Sequence, residues 1–181
     1  MLALFFSGGF GWLDSWVSTL TGNYIVHVLL FFAILGLASD LLTTPFSVYS
    51  TFVLEERYGF NRTTVKTFIL DKLKGWLLGA IIGGGLLALI TWIYLLTGPI
   101  FWLLVLGVVS LFSLFMLMFY SNLIVPLFNK QAPLEDGSLR TKIEAFAKPA
   151  GFKLNNIYVM DGSKRSSKAN AYFTGLGPKK R

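Results

Sequence analysis

Long uninterrupted runs of apolar residues dominate the first 128 positions of the chain. The clearest run, residues 76–96, carries no charged side chain. A helix of that length matches the hydrocarbon thickness of a bilayer. The run at 100–128 is equally free of charge and is long enough to cross with tilt. Because only Thr97, Gly98 and Pro99 separate the two runs, the pattern predicts two transmembrane helices joined by a tight turn.

Two further apolar runs precede this pair. Residues 24–45 are long enough to span, with His27 near one end and Asp40 near the other. Residues 1–20 are interrupted by glycines and by Asp14, so this run either crosses completely or inserts only in part. An acidic residue inside a membrane is a candidate functional residue by default, but Asp14 and Asp40 both lie near the ends of predicted spans. We therefore interpret them as helix caps, and the lone His27 as a hydrogen-bonded helix residue.

The connection at 50–75 alternates apolar and charged side chains. It contains few helix-breaking residues before Gly75, and Asn61 or Thr63 is suited to cap a helix that starts there. Amphipathic helices of this kind bury an apolar face in the membrane interface and place basic groups on lipid phosphates. Taken alone, the connection indicates a helix lying on the membrane surface.

Residues 129–181 have the pattern of a small mixed domain. Residues 132–137 are rich in turn formers, and Ser138 is placed to N-cap an amphipathic helix. Two short strands follow, at 156–160 and at 169–174. One helix and two strands bury too little surface to be stable alone. The sequence therefore indicates a domain that continues past residue 181.

Composition and charge placement favour a membrane protein and argue against nucleic-acid binding. The chain is 54% hydrophobic and 14% charged, and its mean hydropathy is +0.64. The net charge of +7 comes from 16 basic and 9 acidic residues. No lysine or arginine occurs at 1–56 or at 75–129. By the positive-inside rule, the connection at 50–75 and the tail after 129 face the cytoplasm.

No complete catalytic site can be assembled from the sequence. It has no cysteine, one histidine and no H-E-x-x-H motif, so we expect no metal to be bound by residues of this chain. The stretch 170–173 resembles an edge strand, which offers free backbone groups to an extended peptide. From the residues alone, a non-catalytic membrane scaffold or regulator is an alternative, and a transporter is disfavoured by the absence of charge at 76–128.

Four stretches together identify a resemblance. They are residues 44–61, 124–130, 157–167 and 170–175. In order and spacing they resemble the N-terminal half of the CAAX prenyl protease 1 family, membrane zinc endopeptidases that process prenylated CAAX proteins. The resemblance covers the chain from about residue 8 to Arg181, and the chain begins about one transmembrane helix later than the family.

The resemblance implies a mostly α fold of multi-pass transmembrane helices around a water-filled chamber, closed by a cytoplasmic α+β zincin-like domain. Residues 1–128 would supply helices at about 1–20, 24–45, 76–96 and 100–128, and 129–181 would begin the protease domain. Zinc would be held by residues absent from this chain, so we expect this portion alone to be inactive. The family's substrate strand corresponds to Asn170, Ala171 and Tyr172, which are predicted to contact the substrate.

The implied surroundings are a lipid bilayer, of the bacterial inner membrane or of the endoplasmic reticulum type, and a peptide or prenylated protein substrate. Nucleic acid is not expected as a partner, and the sequence leaves the oligomeric state open.

Overall fold

A computed structural model describes residues 5–149, 151, 154 and 156–172. The chain divides into two compact units, one formed by Met1–Leu54 with Val65–Leu106 and the other by Glu55–Thr64 with Gly107–Arg181. Helices make up most of the described residues, which confirms the predicted mostly α fold.

The first helices follow the predicted order. Helix α1 (Gly9–Leu20) and helix α2 (Tyr24–Tyr49) are joined by a short turn, and α2 continues as a π-helical stretch over Ser50–Glu55. The side chain of Asn23 caps α2, because its Oδ1 accepts from the backbone N–H groups of Ile25 and Val26 at 2.9 and 3.1 Å. At 12 residues, α1 is about 18 Å long, which is shorter than the hydrocarbon core.

The next helices form a longer apolar stretch. Helix α3 (Val65–Leu78) passes through a π-helical turn, Gly79–Gly83, into α4 (Gly84–Thr97). A 3-10 turn, Gly98–Ile100, leads into α5 (Phe101–Leu123), and α6 (Val125–Phe128) follows. Gly98 has φ +54°, which suits glycine and stops α4 where the sequence predicted a break. Tyr24–Glu55 and Val65–Phe128 are the two described helical stretches with the length and apolar character to cross a membrane.

Helices α2 and α4 contact each other near Gly84. A Cβ placed on Gly84 would lie 4.0 Å from the Leu29 Cδ2 atom, an ordinary van der Waals distance, so the Leu29 side chain of α2 packs on α4 at this residue.

The connection at 50–75 does not form one separate helix. Helix α2 extends to Glu55 and α3 begins at Val65, so most of the connection is the ends of two long helices. Only residues 58–64 form a loop. The alternation of apolar and charged side chains therefore covers the end of one long helix and the start of the next. Asn61 does not cap α3 directly, but its Oδ1 accepts from the Thr63 N–H at 2.7 Å.

The second unit contains a two-stranded antiparallel sheet. Strand β1 (Gln131–Pro133) pairs with β2 (Tyr158–Met160), with Ala132 opposite Val159. The predicted turn at 132–137 is therefore wrong in its first part, because Ala132 and Pro133 pair with a neighbouring strand. Pro133 is tolerated there as the last strand residue. The predicted strand at 156–160 is confirmed over Tyr158–Met160.

Ser138, predicted as an N-cap, is instead the first residue of helix α7 (Ser138–Ala147). The helix begins at Ser138 itself, and the residue before it, Gly137, occupies the cap position. The Gly137 carbonyl accepts from the Thr141 N–H at 3.0 Å. A strand was predicted at 169–174. Residues 169–172 do not form a strand, and no described strand pairs with them. Residues 173 and 174 lie outside the described residues.

Candidate functional site

The segment Asn170–Tyr172, predicted to contact substrate, is exposed. All three side chains lie at the surface, and Tyr172 is 51% exposed with its hydroxyl 4.0 Å from the Met160 sulfur. Its backbone joins no strand that the structure describes. Among the described residues, the segment is exposed and belongs to no strand.

A loop far away in sequence holds the residues that immediately precede this segment. We call Glu55–Thr64 the loop, counting the last helical residues 55–57 together with the non-helical residues 58–64. The residues that it holds are 165–168, which we call the anchor. The backbone N–H of Arg62 donates to the Arg165 carbonyl at 3.1 Å, and that of Ser167 donates to the Phe60 carbonyl at 3.0 Å. Asn61 and Ser166 form an antiparallel bridge between these two bonds. The anchor is thus held by backbone pairing to the loop.

Side chains reinforce this pairing. The Ser167 hydroxyl donates to the Gly59 carbonyl at 3.0 Å, and the Thr63 hydroxyl donates to the Arg165 carbonyl at 3.1 Å. The Lys168 Nζ lies 2.8 Å from the Glu55 Oε1 and 4.7 Å from the centroid of the Phe60 ring. The last residue of the anchor is therefore bound to the loop by charge.

The guanidinium of Arg165 links the anchor to the end of the last described membrane helix. It donates to the Asn129 Oδ1 and, at 3.0 Å, to the Phe128 carbonyl. Planar guanidinium suits such paired acceptors, because its donors are fixed in a fork. Arg165 thus joins three parts of the second unit: the loop, the anchor and the residues after α6.

A tight turn precedes the anchor. The Ser163 hydroxyl donates to the Asp161 Oδ1 at 2.5 Å, and the Ser163 N–H donates to the same atom at 3.3 Å. The hydrogen bond from the Ser163 hydroxyl holds the pKa of the Asp161 carboxyl below its ordinary value, against an opposing effect of desolvation. The carboxylate is therefore kept ionised and the turn ordered.

Asp40 forms an ion pair between α2 and α3 in the first unit. Sixteen residues separate it from Tyr24, about 24 Å along α2. Its carboxylate accepts from the Lys72 Nζ at 2.6 and 2.7 Å and from the Trp76 Nε1 at 3.1 Å. The predicted capping role is wrong, because α2 continues past residue 45 and places Asp40 in its interior.

Asp14 and His27 form the other pair in this unit. The His27 Nε2 lies 2.8 Å from the Asp14 Oδ1, joining α1 to α2 across the turn between them. The interpretation of His27 as a hydrogen-bonded helix residue is confirmed. Asp14 lies within α1, so its predicted capping role is wrong.

No metal site can be built from the described side chains. Among residues 5–149, 151, 154 and 156–172, no group of three or more histidine, cysteine, aspartate or glutamate residues could hold a metal ion.

Comparison with known proteins decides the family. A family model described as CAAX prenyl protease N-terminal, with five membrane helices, matches residues 1–130. The chain belongs to this family. Peptidase family M48 matches residues 133–181, directly after it. The predicted resemblance is thereby confirmed, and the chain is an integral membrane protein.

Several relatives extend this result. The chain is 44% identical over 159 residues to the CAAX prenyl protease 1 homolog of Arabidopsis thaliana, covering 88% of this chain and 38% of the relative. It is 43% identical to the CAAX prenyl protease 1 of Saccharomyces cerevisiae, and this match covers 84% of this chain and 34% of the relative. The chain therefore spans about a third to two fifths of the length of these relatives.

A solved structure shows the same fold. The crystal structure of S. mikatae Ste24p matches with a TM-score of 0.86 and 39% identity, covering 97% of this chain and 42% of that one. At this identity and coverage, the helices and the start of the sheet described above follow the family fold.

The sequence predicted the stretches that meet at the site but missed their contacts. Residues 55–61 of the loop, Asn129 after α6, and residues 165–167 of the anchor lie in the stretches that carried the resemblance. Glu55, Asn129 and Arg165 could have been singled out from those stretches, because they are charged or amide side chains. Nothing in the sequence indicated which of them pair.

Proposed function

We propose that this chain supplies membrane helices and part of the substrate site of a zinc metalloendopeptidase that cleaves prenylated CAAX-type substrates. The observation that carries the proposal is the exposed segment Asn170–Tyr172, which follows directly on the anchored residues 165–168. The protease names of the relatives support the activity and the substrate class. They also favour a protease over a non-catalytic scaffold.

The role proposed for this chain is to bind and orient the substrate. An extended peptide can pair with the open backbone of Ala171, and the Asn170 amide can donate to or accept from a peptide group. Fixed positioning of a scissile bond contributes strongly to hydrolysis, because it removes the entropy cost of alignment.

Zinc is part of the proposal for the whole enzyme. In this class of enzyme, zinc polarises the scissile carbonyl and activates water. The described residues of this chain do not form a metal site, so no step through zinc is assigned to them. What they contribute is placement of the peptide beside whatever residues hold the metal.

The proposed setting is an endoplasmic reticulum type membrane, with the loop Glu55–Thr64 and residues after 129 on the cytoplasmic side. The one-sided distribution of lysine and arginine supports this orientation. It places the substrate segment where a cytoplasmic C-terminal peptide can reach it.

Replacing Asn170 with alanine in the complete protein tests the substrate contact. We expect turnover of a prenylated CAAX peptide to fall about two- to tenfold, the range for one lost hydrogen bond. Zinc content should stay the same. Asn156→Ala is the matched control, because Asn156 is an exposed asparagine of the same unit outside the segment. Equal turnover in the Asn170→Ala and Asn156→Ala variants would show that the segment does not contact substrate.

A further inference from the structure

The contact between Glu55 and Lys168 lies at the junction of the anchor and the substrate segment. Residues 55 and 168 are 113 positions apart in sequence. Among the described residues, Lys168 is the last one bound to the loop, and Asn170 follows two positions later. Because a chain advances at most about 3.6 Å per residue, the Asn170 Cα lies within about 7 Å of the Lys168 Cα.

Lys168 is held on two sides. The carboxylate of Glu55 lies 2.8 Å from its Nζ, and the ring of Phe60 lies 4.7 Å from the same atom. The side chains of Lys168 and Glu55 are 49% and 34% exposed, so solvent and salt reach the pair. A pair of this kind is too exposed to contribute much to folding. Its geometry instead fixes the direction in which the chain leaves the loop.

The backbone pairing would hold the anchor without this ion pair. The bond from Ser167 to Phe60 and the bond from Arg62 to Arg165 involve no charged side chain. Removing the charge at residue 55 or 168 therefore leaves the anchor in place and frees only the residues that follow it. These are the residues proposed to meet the substrate.

We propose that Glu55 and Lys168 are positioning residues, whose ion pair sets the path of the substrate segment Asn170–Tyr172. This inference rests on the proposed function, because it assumes that the segment contacts a peptide. Substrate binding should depend on the pair more than the chemical step does, since the pair touches neither the scissile bond nor the metal.

Charge reversal in the complete protein tests the inference. We expect Glu55→Lys and Lys168→Glu each to raise KM for a prenylated CAAX peptide about two- to fivefold, the range for an exposed ion pair. The kcat and the zinc content should remain those of the unaltered protein. The double variant, Glu55→Lys with Lys168→Glu, should recover part of the lost affinity, because the pair is restored in reverse while the contact with Phe60 is not.

Lys164→Glu is the matched control, because it makes the same charge change on an exposed lysine before the anchor. It should leave KM unchanged. The inference is wrong if the single reversals have the KM of the control, or if the double variant shows the summed defects without recovery. A loss of turnover in Asn170→Ala with unaltered KM in the reversals would overturn the positioning role and leave the proposed function standing. An Asn170→Ala variant without defect would overturn the substrate contact itself.

Discussion

Replacing Lys72 with methionine is expected to lower the yield of folded protein several-fold. The side chain of Lys72 is 23% exposed and that of Asp40 is 33% exposed, and their ion pair joins α3 to α2. Removing the lysine leaves a partly buried carboxylate without its cation, and an uncompensated, partly buried charge is costly. The yield of monodisperse protein, measured by size-exclusion chromatography after detergent extraction, checks the prediction.

A second substitution separates the charge from the side-chain volume. Asn at position 40 keeps an oxygen for the Trp76 indole N–H but carries no charge. We therefore expect the double variant Lys72→Met with Asp40→Asn to recover most of the yield, since pairs replaced together are often nearly neutral. Lys66→Met is the control, because Lys66 is exposed in the first turn of the same helix. A yield of the double variant as low as that of Lys72→Met would contradict this explanation.

Asp40→Ala should likewise reduce the yield of folded protein, but it should not change the catalytic activity of the protein that folds. The protein that does fold should keep its activity per mole of zinc, because Asp40 contacts helix residues and no part of the proposed substrate segment. A well-folded Asp40→Ala protein with selectively lost activity would show that Asp40 has a functional role.

Replacing Arg165 with alanine is expected to destabilise the second unit by roughly 2–4 kcal/mol. The change removes the charge-assisted bonds to Asn129 and to the Phe128 carbonyl. Bonds to charged groups contribute about 1.5–3 kcal/mol each, and the partial exposure of Arg165 lowers their sum. The stability of Arg165→Lys should be closer to that of the alanine variant than to that of the unaltered protein, because the lysine ammonium cannot reproduce the planar fork of donors.

Thermal unfolding of the complete protein, followed by tryptophan fluorescence, measures this effect. Arg62→Ala is the matched control, since the Arg62 side chain is exposed and its backbone bond to Arg165 survives the change. A melting temperature of Arg165→Ala equal to that of Arg62→Ala would show that the guanidinium contacts contribute nothing.

The sequence was most informative where a single run of residues decides the structure. The uncharged stretch at 76–96 predicted a membrane helix, and Gly98 predicted its end, because both signals are local. Local signals failed at Ala132 and Pro133, which belong to a strand that pairs with Tyr158–Met160. They failed again at 50–75, where charges at the ends of long helices resembled a separate surface helix.

The candidate site was harder to predict, because its contacts join distant residues. The pair of Asp40 with Lys72 spans 32 positions, and the bond between Glu55 and Lys168 spans 113. Hydrophobic periodicity carries no information about which charges meet across such distances. The resemblance supplied the stretches, and the structure supplied their pairing. The role of Asn170, Ala171 and Tyr172 stays a proposal that the exposed position of these residues supports.

The most direct test of the account is chelator-sensitive hydrolysis by the complete protein. Purified protein in lipid vesicles should contain about one zinc ion per chain and cleave a prenylated CAAX peptide. Treatment with a chelator should abolish the cleavage, and added Zn²⁺ should restore it. A complete, well-folded protein that binds no zinc and shows no chelator-sensitive cleavage would contradict the assignment of this chain to a membrane metalloendopeptidase.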